Sequence, residues 1–186
     1  MNRLRMVGAA ALILLSAFAI FGETKEEKQA KARKKADDTL ARLYKAKPSA
    51  QAAIKSAAGY AVFNNAGAKI LVAGAGKGSG IAVENATKKV TYMKMREIQA
   101  GLGIGVKKFS LIFVFENQKV LDDFVNGSWE FGGQTTAAAK TGDGGGSLQG
   151  AVLASPGVWV YQMTDKGLAL ELTAKSTKYS KDDDLN

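Results

Sequence analysis

Glycine occupies every second position between residues 74 and 80, in the segment LVAGAGKGSGIAVE (71–84). In a β-strand, alternate residues share a face. One face of this strand would therefore be bare backbone, and AGLGIG (100–105) repeats the pattern. The glycines concerned are Gly74, Gly76, Gly78, Gly80, Gly101, Gly103 and Gly105. Glycine costs roughly 0.5–1 kcal/mol relative to alanine in a strand, so we expect a close contact over these positions, such as the alanine-rich segment 49–58. The alternative is a groove for a thin ligand such as an acyl chain.

A lysine within a glycine-rich segment also raises the possibility of a nucleotide-binding loop. A phosphate-binding loop requires Gly-Lys followed directly by Ser or Thr, whereas Gly78 follows Lys77 here. A dinucleotide-binding turn is followed by a helix, whereas IAVEN (81–85) has the composition of a strand. The pattern therefore favours a structural role for the glycines.

The composition limits the chemistry of the protein. The 186 residues include no histidine and no cysteine. Disulfides, thiolate or imidazole metal sites, and Ser-His or Cys-His catalysis are therefore excluded. Asp182, Asp183 and Asp184 lack the spacing and glycine of a calcium loop. We expect one domain, no enzyme activity, no metal and no cofactor.

The first residues resemble a signal peptide. Arg3 and Arg5 precede a weakly polar run from residue 6 to residue 22, and Ala17-Phe18-Ala19 is a small-x-small cleavage site. The alternative is an uncleaved N-terminal anchor. We expect export to the periplasm or the cell envelope. The formal net charge of +9 then favours an anionic membrane surface over nucleic acid as the partner.

The hydrophobic pattern predicts helices at 23–47, 49–58 and 117–127. Thr24 is expected to cap the first helix, and its apolar face includes Ala36, Leu40, Leu43 and Tyr44. Gly59 is expected to end the second helix. Short strand-like segments follow one another with few helices between them, which favours antiparallel pairing. We therefore predict an α+β fold: N-terminal helices, then a large antiparallel sheet, sandwich or partial barrel, with one inserted helix.

Three ordered blocks carry a family resemblance. They are AAGYAVFNNAGAKILVAGAGKGSGIAVEN, GLGIGVKKFSLIFVFENQKVLDDFVNGSWEFGGQTTAAAK and SPGVWVYQMTDKGLALELTAKSTKYSKDDDLN. The chain resembles the SYLF domain, also called the Ysc84-like family, in its bacterial exported branch. The resemblance covers roughly residues 38–186. Together with the features of the first residues, it divides the chain into a signal peptide at 1–19, a basic helical or linker segment at 20–37 and a SYLF-like lipid-binding domain at 38–186.

The resemblance implies lipid binding without catalysis. Eukaryotic members bind phosphoinositides, partly through an N-terminal amphipathic helix, and some fungal members also bind actin. For an exported bacterial-type chain, it implies binding of an anionic phospholipid at the envelope. The alternative is an envelope structural or interaction protein whose sheet binds a protein or polymer partner.

Three groups of residues are candidates for lipid contact. A basic run on the first helix is suited to an anionic surface. The alternative is that this run is a solvated helix face or a flexible linker without a binding role. Lysines beside the glycine-rich strands are placed to ring the mouth of a groove, or to protect strand edges. A tryptophan is suited either to headgroup depth or to the core. These candidates are, in order, Lys25, Lys28, Lys31, Arg33, Lys34 and Lys35; Lys77, Lys107 and Lys108; and Trp129.

Overall fold

The computed structural model of the chain describes residues 22–70, 73–100, 105–131, 148–169 and 177–186. Within these ranges it contains three helices and nine strands. In chain order they are α1 (Lys25–Ala46), α2 (Ser49–Ser56), β1 (Gly59–Ile70), β2 (Ala73–Glu84), β3 (Val90–Ala100), β4 (Gly105–Phe115), α3 (Gln118–Asn126), β5 (Trp129–Phe131), β6 (Val152–Ser155), β7 (Val158–Thr164), β8 (Gly167–Ala169) and β9 (Thr177–Lys181). The predicted α+β class, with helices first and one helix inserted among the strands, is confirmed.

The strands form one antiparallel sheet that curls into a half-barrel. Its order is β5-β9-β3-β2-β1-β4-β7-β6, and β8 also pairs with β7. The first four strands are long, and β1 lies at the centre between β2 and β4. Four of the eight neighbouring pairs of described strands are consecutive along the chain, as expected for strands joined by short connections: β1–β2, β2–β3, β6–β7 and β7–β8. The other four pairs join strands that are distant in sequence.

Both faces of the sheet are covered, which explains why its strands read as continuous apolar runs. On the face that we call the helical face, α1 and α2 pack over Val62, Ile81 and Ile112. On the opposite face, α3 packs with Phe63 and Phe113 in an aromatic cluster. In β4, for example, Leu111, Phe113 and Phe115 belong to the second core, whereas Ile112 and Val114 belong to the first.

Helix α1 begins and packs as its sequence predicts. The Thr24 hydroxyl accepts a hydrogen bond from the Glu27 amide, and the Glu27 carboxylate accepts one from the Thr24 amide, which completes a capping box. The predicted apolar face is confirmed: Ala36, Leu40 and Leu43 are buried, and Tyr44 packs against the same core. The helix is therefore docked on the sheet along its length.

The glycines of β2 lie in a strand, as predicted, but Gly78 and Gly80 are covered by side chains of neighbouring strands and not by a helix. A Cβ on Gly80 would collide with the Val62 carbonyl oxygen and lie 2.5 Å from Cδ1 of Phe63, and one on Gly78 would lie 2.6 Å from Cγ of Met95. Phe63 and Met95 belong to the second core, whereas Ala50 and Ile54 of α2 belong to the first. The expectation that 49–58 lies over these glycines is therefore wrong. Side chains from the neighbouring strands fill the space that the missing Cβ atoms leave.

The expected role of Gly59 is also wrong. Helix α2 ends at Ser56 with Ala57 as its C-cap, and Gly59 is the first residue of β1. A Cβ on Gly59 would meet the Val83 carbonyl oxygen and lie 2.7 Å from Cδ2 of Leu121. Gly59 is thus required by close packing under α3.

Several sequence predictions fall outside the described residues. They include the signal peptide at 1–19 and the glycines Gly101 and Gly103. Within the ranges given above, none of the helices combines the length and the apolar character that crossing a membrane requires.

Candidate anion-binding site

Cationic residues occupy one cross-strand row on the helical face of the sheet. Lys178 of β9 pairs with Arg96 of β3, and Arg96 pairs with Lys77 of β2. Lys77 in turn pairs with Ala66 of β1, which pairs with Lys108 of β4. Directly opposed residues of antiparallel strands point to the same face. We call Lys178, Arg96, Lys77 and Lys108 the cationic row; it crosses five strands, or about 19 Å at the usual strand spacing.

The cationic row places like charges next to each other in the sheet, although Glu130 of β5 lies directly opposite Lys178 at one end of the row. Like charges directly opposite each other on neighbouring strands are destabilising, and the row contains two such pairs, Lys178–Arg96 and Arg96–Lys77. All four side chains are exposed. Among the residues that the structure describes, no ion pair involves any of them. The arrangement is therefore one that an external anion would stabilise.

A cavity of about 590 Å³ opens between α1 and two members of the row, Lys77 and Lys108. Its lining comes from α1, from β1, β2 and β4, and from the turn after β7. The lining residues are Lys35, Arg42, Asn64, Asn65, Lys77, Gly78, Ser79, Lys108, Phe109, Ser110 and Asp165. Four cations less one carboxylate leave a formal charge of +3 in the lining. We call this space the cationic cavity.

A hydrogen-bonded side-chain network forms the floor of the cationic cavity. The side-chain amide oxygen of Asn64, Oδ1, accepts hydrogen bonds from the Thr39 hydroxyl at 3.0 Å and from the Ser110 hydroxyl at 2.8 Å. Both hydroxyl residues are buried. The network joins α1 to β1 and β4, so it fixes the helix above this part of the sheet.

Arg42 and Asp165 close one end of the cavity. The Arg42 Nη2 donates to the Thr164 carbonyl oxygen at 2.8 Å, which holds α1 against the end of β7. Asp165 is the next residue and contributes the carboxylate in the lining. Because a guanidinium has five N–H donors, this single bond leaves Arg42 able to donate to a ligand.

The structure divides the predicted basic run into different environments. Lys31 forms an ion pair with Glu23 at 3.0 Å, and Lys25 donates to the Asn186 carbonyl oxygen at 2.8 Å. Lys34 pairs with Asp38 at 2.8 Å, and this hydrogen bond raises the pKa of Lys34. Such exposed pairs contribute little to stability. These lysines are accordingly held at the surface of the folded domain.

The other members of the run face the sheet. Arg33 Nε donates to the Tyr92 hydroxyl at 2.6 Å. Lys35 lines the cationic cavity, and together with Lys28 it also lines a neighbouring cavity of about 310 Å³ beside Ser79. Of the run, Lys35 is therefore the residue that the fold brings to Lys77 and Lys108.

The remaining candidates are placed as follows. Lys77 and Lys108 lie on the same face and line the same cavity. Lys107 belongs to β4, but its side chain is outside the described part of the structure. Trp129 is half-buried and packs in the second core, with its ring centroid 5.7 Å from that of Phe113 and 5.4 Å from that of Phe124. Its surroundings are those of a core residue.

Sequence reasoning missed three cations of the site: Arg42, Arg96 and Lys178. None stands in a motif or a charged run. Arg42 has a detectable signal, since it lies seven residues after Lys35 and therefore on the same side of a helix. Arg96 and Lys178 join the row only through the strand register, which no local pattern specifies.

Two comparisons with known proteins bear on the chain. Residues 96–186 match a family described as "Ysc84: Las17-binding protein actin regulator". The chain is also similar to Beta cell expansion factor A of Aeromonas veronii, with 34% identity over 152 residues. This alignment covers 81% of the chain but 56% of the relative, so the chain spans little more than half of that protein's length.

The fold and these matches define a class of binding domains whose members are associated with lipid and protein partners. Within that class, residues 96–186 of the chain match the SYLF, or Ysc84-like, family. The resemblance seen in the sequence blocks is thereby confirmed.

Proposed function

We propose that this protein is an exported, non-enzymatic domain that binds anionic phospholipid at the surface of a cell-envelope membrane. The observation that carries the proposal is the cationic row, because its exposed like charges oppose one another across neighbouring strands. An anionic membrane surface would relieve this repulsion, and each juxtamembrane lysine or arginine contributes about 1 kcal/mol near such a surface. The match to a family associated with lipid binding supports the same conclusion.

Vesicle co-flotation of residues 20–186, which include every residue that the structure describes, tests this function. We expect binding to vesicles that contain phosphatidylglycerol and none to phosphatidylcholine alone. Binding should weaken between about 50 mM and about 300 mM salt, because screening shortens the range of surface charges to less than 10 Å. Absence of binding to any vesicle would contradict the proposal and would favour an envelope interaction protein.

A charge-matched pair of variants tests the row itself. Arg96→Gln/Lys178→Gln should weaken binding by about 25-fold, from roughly fivefold per charge. Lys55→Gln/Lys119→Gln removes the same charge from exposed positions on α2 and α3, and should change binding by less than about twofold. Equal effects of the two double variants would show that only the net charge matters.

We also propose that residues 1–19 are removed on export. The basic start, the weakly polar run and the Ala17-Phe18-Ala19 site support this. The intact mass of the protein recovered from the envelope fraction checks it: the mature chain should begin at Ile20. An unprocessed mass would instead indicate an N-terminal anchor.

A further inference from the structure

We infer that the cationic cavity takes up a phosphate ester, so that the headgroup of the lipid enters the cavity and does not only meet the surface of the row. This inference rests on the proposed function and names its ligand group. A lipid headgroup and a soluble ester could both supply this ligand, because both can carry a phosphate ester together with hydroxyl groups.

The strand register defines one side of the phosphate position. Lys77 and Lys108 are both paired with Ala66, one from each neighbouring strand. Their backbones are therefore about 10 Å apart, two strand spacings. Two long side chains separated by this distance can both reach an anion placed between them. A lysine ammonium binds phosphate as a compact charge with three donors.

Helix α1 supplies the opposite side of the position. Lys35 and Arg42 are seven residues apart, so they lie on the same side of α1 with a rise of about 10 Å between them. Thr39 lies between them and is anchored to Asn64. The Thr164 carbonyl holds the Arg42 guanidinium, which orders it before a ligand arrives. A planar guanidinium matches two phosphate oxygens at once.

The floor provides neutral donors. The Asn64 side-chain oxygen, Oδ1, already accepts two hydroxyl hydrogen bonds. The side-chain NH2 group of Asn64 is therefore the part left to donate to a ligand in the cavity that Asn64 lines. Asp165 provides an acceptor at the end of the cavity that Arg42 closes. An acceptor next to a phosphate position suits a headgroup hydroxyl, which is why we infer a polyol phosphate such as glycerol phosphate.

The lining is unsuited to an acyl chain. Phe109 is the one large apolar residue of the lining, and its side chain packs in the second core on the opposite face, whereas four lining residues are cationic. An apolar ligand would remove these charges from water without offering them a partner, which is costly. The size of the cavity, about 590 Å³, is that of small-molecule sites.

The experiment uses residues 20–186 with two probes, glycerol 3-phosphate in solution and phosphatidylglycerol vesicles. Phosphorus NMR follows the soluble ester, and co-flotation follows the vesicles in the presence of excess ester. We expect saturable binding of the ester and at least about a tenfold loss of it in Lys77→Gln/Lys108→Gln. Lys77→Arg/Lys108→Arg should keep it. The control Lys55→Gln/Lys119→Gln should bind as the unmodified protein does.

A charge-neutral variant separates the cavity from the surface. Ser79 is exposed, lines the cavity and lies in a strand, where phenylalanine is favoured. Ser79→Phe should fill the cavity and abolish ester binding while the cationic row remains. Near-ultraviolet circular dichroism confirms that each variant is folded.

The outcomes separate this inference from the proposed function. Ester binding that is lost in Ser79→Phe supports the cavity, even if vesicles are not bound; the membrane proposal alone would then fail. Vesicle binding that neither the soluble ester nor Ser79→Phe reduces would overturn the cavity and leave a surface interaction. Equal losses in the cavity and control double variants would also overturn it.

Discussion

The Arg33 guanidinium lies 5.3 Å from the centroid of the Tyr92 ring while its Nε donates to the Tyr92 hydroxyl at 2.6 Å. Tyr92 is buried, with 4% of its surface exposed. Arg33, which the sequence places in a basic run suited to membrane binding, thus links α1 to β3. The physical reason is that the exposed Arg33 cation gains both a hydrogen-bond acceptor and an aromatic face on Tyr92.

Removing the Tyr92 hydroxyl should therefore affect stability and leave membrane binding unchanged. We expect Tyr92→Phe to lower the free energy of unfolding by about 0.5–1.5 kcal/mol, the usual net contribution of a hydrogen bond. Urea denaturation measures this. Tyr60→Phe is the matched control, because this ring packs against the same core, and the described structure shows no hydrogen bond from its hydroxyl. Equal losses in both variants would contradict the role of the Arg33 bond.

Gly80 should be among the least replaceable residues of the sheet. A Cβ at this position would collide with backbone, the Val62 carbonyl oxygen, as well as with the Phe63 ring. Backbone in the centre of a sheet cannot move aside cheaply, so we expect Gly80→Ala to destabilise the protein by about 2–3 kcal/mol. The neighbouring Ser79→Ala gives the same new residue on the exposed side of the strand and should change stability by less than about 0.5 kcal/mol. Parallel urea melts compare the two.

Local sequence signals predicted the helices well and the site poorly. The capping box of Thr24 and Glu27 and the apolar spacing of α1 are local, so they could be read directly. The contact over Gly80 could not, because it depends on which strand lies beside β2 and on the side chain that this strand presents. The opposition of Arg96 and Lys77 likewise follows from register, which a shift of one residue would abolish.

Tyr161 should make the stability of the protein fall at high pH. Burial raises the pKa of Tyr161 from 10.0 to about 12, and its side chain is fully buried in the first core. Between pH 10 and pH 12 the unfolded chain has lost this proton while the folded chain keeps it. Stability is therefore unaffected below pH 10 and decreases as the pH rises through this window.

The decrease amounts to about 1.4 kcal/mol per pH unit where only the unfolded state is ionised. Comparing urea melts of the unmodified protein and Tyr161→Phe at pH 9 and pH 11 isolates this group, because lysines and the other tyrosines titrate in both proteins. The pH-dependent loss should be smaller in the variant. An identical loss in both proteins would show that Tyr161 ionises with an ordinary pKa.

Trp129 should report on the core and not on the membrane. Its indole is half-buried and packs against Phe113, Phe124 and Tyr179. In a Trp159→Phe background, Trp129 is the one tryptophan left in the chain. We expect its fluorescence to be unchanged when phosphatidylglycerol vesicles are added, since its surroundings are already apolar. Trp129→Phe should lower stability by about 1 kcal/mol through lost packing and leave co-flotation intact. A blue shift on vesicle binding would instead mean that the ring leaves the core and inserts at headgroup depth.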